Sequence, residues 1–174
     1  MPQASKVIPF IIVLILFLGF QGLFVLADQC KTAEATAVAF TRAYYGLDKD
    51  VNRLVCEKNR VDEEGADAVD NFFHAVSTEA QAMGHNLNYM RSQLMKYHVT
   101  AHKVSDTEVD VHIEGTRKRC INPLYTLVGK LFSLGDTYAF DQKLKVVKED
   151  DGWKVCGDLF SPAAAKAIYG NNPI

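Results

Sequence analysis

Two hydrophobic periods succeed one another along this chain. Residues 31–46, "KTAEATAVAFTRAYYG", place Ala37, Phe40, Ala43 and Tyr44 at helical spacing, with Gly46 as a terminator. "LDKDVNRLVCEKN" predicts a second, short helix with Val51, Leu54 and Val55 on its apolar side, and "RVDEEGAD" is a polar link. From Ala66 a long helix is expected. Val69, Phe73, Val76, Ala80, Met83, Leu87, Met90 and Leu94 advance in steps of four and three along one stripe, and Gly84 marks a bend or split. The period then becomes two. "YHVTAHKV" and "EVDVHIEGTRK" flank the turn "SDT". Val109, Val111 and Ile113 share one face of the second strand, and Asp110, His112 and Glu114 the other. "TYAFDQKLKVVKE" sets Tyr138, Phe140, Leu144 and Val146 against Asp141, Lys143 and Lys145. "DDG" then turns into "WKVCGDLF". Helices followed by four antiparallel strands, each with one apolar face, give an α+β fold: helices packed on a curved four-stranded sheet.

Residues 7–27 break this alternation. "VIPFIIVLILFLGFQGLFVLA" has no charged residue and is long enough to span a bilayer, which needs about 20 apolar residues. With Lys6 before it, the charge bias places the N-terminus inside and residues 28–174 outside the cytoplasm as one domain. The rival reading is a cleaved signal peptide with Val25 and Ala27 at the cleavage site, and a secreted or periplasmic product. On the first reading the chain belongs to a cell envelope, with the membrane as its partner through residues 7–27.

Net charge is −2, so no global basic field draws nucleic acid. The four cysteines, Cys30, Cys56, Cys120 and Cys156, form no CxxC or CxxH pair, which speaks against zinc and thioredoxin-like chemistry. An even count on the oxidising side of a membrane favours two disulfides. Antiparallel first helices put Cys30 too far from Cys56. A strand separates Cys120 from Cys156 in a simple meander. The bonds are therefore expected to join Cys30 and Cys56 to Cys120 and Cys156, in either order.

The element order resembles the nuclear transport factor 2-like superfamily, a cone of curved sheet closed by helices. The resemblance spans about residues 31–160. It rests on "AVAFTRAYYGLDKDVNRLV", like the opening helix, break and second helix, and on "VSDTEVDVHIEG" and "KEDDGWKVCGD", like the hairpin strands. It implies a pocket between helices and sheet. Some members are ketosteroid isomerase-like or dehydratase-like enzymes. Others bind ligands or serve as membrane-anchored periplasmic scaffolds, including components of type IV secretion systems. Fold does not settle function. This chain departs from the pattern in its long third helix and in an apolar insert between the middle strands.

That insert, "CINPLYTLVGKLFSLGD", carries a helix-start signal at Asn122–Pro123 and apolar residues Leu124, Leu127, Val128 and Leu131 at helical spacing. Three roles compete for it: extra core, the lid of an apolar ligand pocket, or a contact with a partner or membrane surface. The pocket candidates are Phe72, Phe73, Tyr125, Phe132, Tyr138 and Trp153. Pairing Ser105 with Val109 would set His102 opposite His112, but no third metal ligand is evident, so both are read as solvated strand histidines. The acidic residues fall in runs or on polar faces, and no position carries a catalytic signature, a metal site or a cofactor motif. The expectation is a membrane-tethered, extracytoplasmic, non-catalytic binding or assembly module with an envelope partner. The alternative is a small enzyme or carrier holding an apolar ligand in the cone.

Overall fold

In the computed structural model, residues 32–61, 65–119, 137–161 and 164 are described. Helix α1 spans Ala33–Gly46. Thr32 caps it, its Oγ1 accepting from the Ala35 amide at 3.1 Å. The chain leaves through Leu47 in the left-handed region (φ 49°), with the Asp48 amide donating to the Ala43 carbonyl at 2.9 Å. Gly46 still lies inside the helix. Leu47 takes the conformation glycine usually supplies, and its side chain is buried in the core.

Two 3-10 turns follow, Lys49–Leu54 and Glu57–Asn59, where one short helix was expected. Helix α2, Ala68–Ala82, buries Val69, Phe72, Phe73, Val76 and Ala80. It ends before Gly84, whose φ of 76° is one that glycine adopts without strain. Leu87 and Met90 then occupy a separate one-turn helix, α3 (Leu87–Met90), and Leu94 already lies in a strand. The expected long helix is thus split at its glycine.

The sheet is an antiparallel meander, β1 (Ser92–Lys103), β2 (Glu108–Arg119), β3 (Thr137–Glu149) and β4 (Gly152–Cys156), in that spatial order. Helix α1 packs against all four strands. Its ring Phe40 lies 5.6 Å from Tyr44, which stacks on Phe72 at 5.2 Å. Phe72 meets Phe160 at 5.4 Å. One face of the sheet supplies Val109, Val111, Ile113, Phe140, Leu144, Val146 and Val155 to this core.

A clasp joins the helical half to β4. Val55 bridges Val155, the Cys56 amide donates to the Val155 carbonyl at 3.0 Å, and a disulfide joins Cys56 to Cys156 across a Cα separation of 5.3 Å. This bond ties helical half to sheet, as the spacing argument expected. The buried Lys154 donates from Nζ to the Arg53 carbonyl at 2.7 Å and pairs with Asp151. Cys30, Cys120 and the insert residues Tyr125 and Phe132 lie outside the described residues.

The membrane-tethered reading is corrected. Among the described residues no helix is long and apolar enough to cross a membrane. The longest has 15 residues, about 22 Å at 1.5 Å per residue, against a hydrocarbon core of about 30 Å. Residues 7–27, on which the reading rested, lie outside the described residues. The membrane partnership, single-pass topology and envelope placement drawn from that segment fall with it.

Candidate functional site: an inner cleft and an outer histidine row

Helices cover the sheet's inner face incompletely. Strand β1 is an edge strand, and inward residues on it stay open: Tyr97 is 43% exposed, and Ala101 is exposed. Where β1 crosses β2 the register shifts between Leu94 and Lys96, a bulge. Gly115 lies beneath it. A Cβ there would come within 2.2 Å of the Lys96 carbonyl oxygen and 2.7 Å of the Tyr97 Cα. Only glycine lets the two backbones approach so closely.

Beside this crossing lies a cleft of about 1270 Å³. Phe40, Tyr44 and Tyr45 of α1 form one wall. Tyr97, Gly115, Phe140, Gln142 and Leu144 belong to the inner face of the sheet, and Leu159 follows β4. Its border is polar as well as apolar: Lys96, His98, Glu114, Thr116, Asp141 and Lys143, at the intervening strand positions, also line it. Gln142 sits on the same face as Phe140 and Leu144, and its buried Oε1 has no hydrogen-bond partner among the described residues. Asp158 also borders the cleft.

Behind the Tyr45 wall lies the buried Arg117. Its guanidinium stands 4.7 Å from the Tyr45 ring and 5.1 Å from the Tyr138 ring, and Nη1 donates to Ser92 Oγ at 3.0 Å. Burial pushes the Arg117 pKa down from its ordinary value and the Tyr45 phenol up, with the guanidinium opposing the second shift. Arg119 continues the stack, 4.8 Å from the rings of both Tyr138 and Tyr89. This cation–aromatic ladder fixes the end of β2 and the position of Tyr45.

The opposite face of the sheet is polar. Cross-strand register aligns His98 with Glu114 and Asp141, Thr100 with His112 and Lys143, and His102 with Asp110 and Lys145. His102 therefore does not face His112. Lys103, rather than Ser105, pairs with Val109, and this two-residue shift keeps each side chain on its expected face while changing its neighbours. His112 Nε2 lies 2.8 Å from Asp141 Oδ1. The ligand atoms of His112, Glu114 and Asp141 all fall within 4.8 Å of one another. Cys56, Glu149 and Cys156 also cluster, but the disulfide leaves no thiolate there to hold a metal.

The aromatic residues singled out from the sequence are placed as follows. Phe72 and Phe73 are buried in the core and Tyr138 packs under the arginines. Trp153 borders a second hollow with Ala39, Arg42 and Leu94. None of these four lines the inner cleft. Tyr97 and Gln142 do, and the pattern of the chain held a signal for Gln142: a polar residue at the same parity as Phe140 and Leu144. No known protein family, curated protein or solved structure matches this chain.

Proposed function

We propose that this domain is a small-molecule carrier that holds an apolar, aromatic-compatible body in the cleft between α1 and the inner face of the sheet. The observation that carries the reading is the union of that aromatic-walled cleft with the Gln142 oxygen that has no partner among the described residues. A buried carbonyl without a partner is costly, so turning the Gln142 side chain toward the cleft to meet a ligand with one hydrogen-bond donor would recover that cost while the ligand's apolar body covers Tyr97 and Phe140. Binding is favoured over acid–base catalysis because no carboxylate among the described residues is buried, and a raised carboxylate pKa needs burial. The cone pocket implied by the resemblance to the nuclear transport factor 2-like superfamily belongs to the same proposal.

The test is a fluorescence titration of the full chain with N-phenyl-1-naphthylamine, an apolar probe carrying one N–H donor. Saturable binding is expected. Tyr97→Glu changes an exposed residue, so the fold is retained, and it should weaken binding about tenfold, since one lost apolar contact plus a charge is worth ~1.4 kcal/mol or more. Equal affinity in parent and variant, or no saturation, would refute the carrier reading.

A further inference from the structure

On the outward face of the sheet, Glu114 of β2 and Asp141 of β3 stand directly opposite each other. Like charges in that position repel, and sheets normally place opposite charges or neutral pairs there. Among the described residues no lysine or arginine forms a salt bridge with either carboxylate. Lys143, the nearest cation along β3, is aligned with His112 instead. Among the described residues the one side chain paired with either carboxylate is the His112 imidazole, with Nε2 at 2.8 Å from Asp141 Oδ1. On the other side of Glu114, directly across the strand pair, stands a second imidazole, His98.

We propose that His112, Glu114 and Asp141 form a binding site for a divalent transition-metal ion of the zinc type. The donor set, one imidazole and two carboxylates, suits zinc far better than magnesium, which prefers oxygen and water alone. Three protein ligands leave the remaining coordination position to water or to a bound molecule. The geometry needs little adjustment. Tetrahedral zinc with bonds near 2.0–2.2 Å sets its ligand atoms about 3.4 Å apart. The three donor atoms already lie within 4.8 Å of one another, so side-chain rotation contracts the triad while the 2.8 Å imidazole–carboxylate contact opens to admit the ion. The strands, not a loop, carry all three ligands, so the backbone positions are fixed by the β2–β3 register.

Glu114 and Asp141 also border the cleft, but the proposal does not rest on the carrier reading, and its test uses the metal with no cleft ligand. The experiment is isothermal titration of the full, disulfide-intact chain with zinc chloride, and separately with magnesium chloride, beside thermal unfolding in each salt. Zinc is expected to bind with one-to-one stoichiometry and to raise the melting temperature, and magnesium to do neither. His112→Ala, Glu114→Gln and Asp141→Asn should each weaken zinc binding at least about tenfold, the scale of losing a group that supports a metal site. Glu114→Gln carries a second, opposite signature. Without metal it removes the cross-strand repulsion and should leave the chain as stable as the parent or more so, while the zinc-induced rise in melting temperature disappears. A merely structural defect cannot produce that reversal. Zinc affinity unchanged by all three substitutions would overturn the proposal by moving the ion to other residues, and so would the absence of zinc binding to the parent chain.

Discussion

Gly115 shows how a single residue sets the shape of the cleft. Its missing Cβ lets the β1 bulge lie on β2, with the Lys96 carbonyl oxygen only 2.2 Å from where a methyl would stand. The obstacle is backbone, which cannot rotate away. Gly115→Ala should therefore destabilise the chain by about 1–3 kcal/mol, the usual cost of overpacking, read by urea unfolding. Tyr45 makes a pH-dependent contribution. Burial raises its pKa above the unfolded value of 10.0, so the folded state holds the phenolic proton more tightly. That contribution is intact below pH 10 and is lost as pH rises through the folded pKa. The exposed Lys49 and Lys145, held up by Asp70 and Glu108, lose their pairing in the same alkaline range. The diagnostic comparison is the parent chain against Tyr45→Phe: the variant should lose stability less steeply above pH 10.

At the scale of elements, caps and parity decided what could be read in advance. Asp67 caps α2, its Oδ1 accepting from the Val69 amide at 2.9 Å and the Asp70 amide at 3.0 Å, while Oδ2 accepts from Asn52 at 3.0 Å. Asp67→Ala should cost about 1 kcal/mol, measurable as a shift in the urea midpoint. Strands β2 and β3 were legible almost to their ends, because alternation over a dozen residues admits no helical alternative. The long helix was overextended because Leu87, Met90 and Leu94 continue its stripe by coincidence of spacing. A glycine with φ 76° outweighs three apolar residues. The outward row was half legible. Parity put His112 and Glu114 together, but their opposition to Asp141 depends on a register across a connection whose length fixes nothing. The inner cleft was hardest to foresee, since an aromatic residue buried in the core and one lining a cleft have the same pattern. Phe72 is buried under other rings, whereas Tyr97 is left partly open.

For the whole molecule, the decisive join is between the helical half and the sheet. Cys56 and Cys156 lie 100 residues apart in sequence, so their bond restricts the unfolded chain strongly. Replacing both by serine should lower stability by about 2–4 kcal/mol in non-reducing urea titrations, and reductant should bring the parent chain toward the same value. A double variant as stable as the parent would show that the Val55–Val155 bridge and the Lys154–Arg53 hydrogen bond hold the clasp without the covalent link. The clasp also keeps the segment after β4, which carries Leu159, against the cleft. The loss of the disulfide is therefore expected to weaken probe binding as well as stability.

The central claim is that the inner cleft is the binding site, and location tests it more directly than affinity. The measurement is amide chemical-shift mapping of the full chain titrated with N-phenyl-1-naphthylamine. The account predicts saturable shifts gathered on Tyr45, Tyr97, Gly115, Phe140 and Gln142, with Trp153 and Ala39 unmoved. Shifts gathered at the second hollow around Trp153, or scattered without saturation, would contradict it.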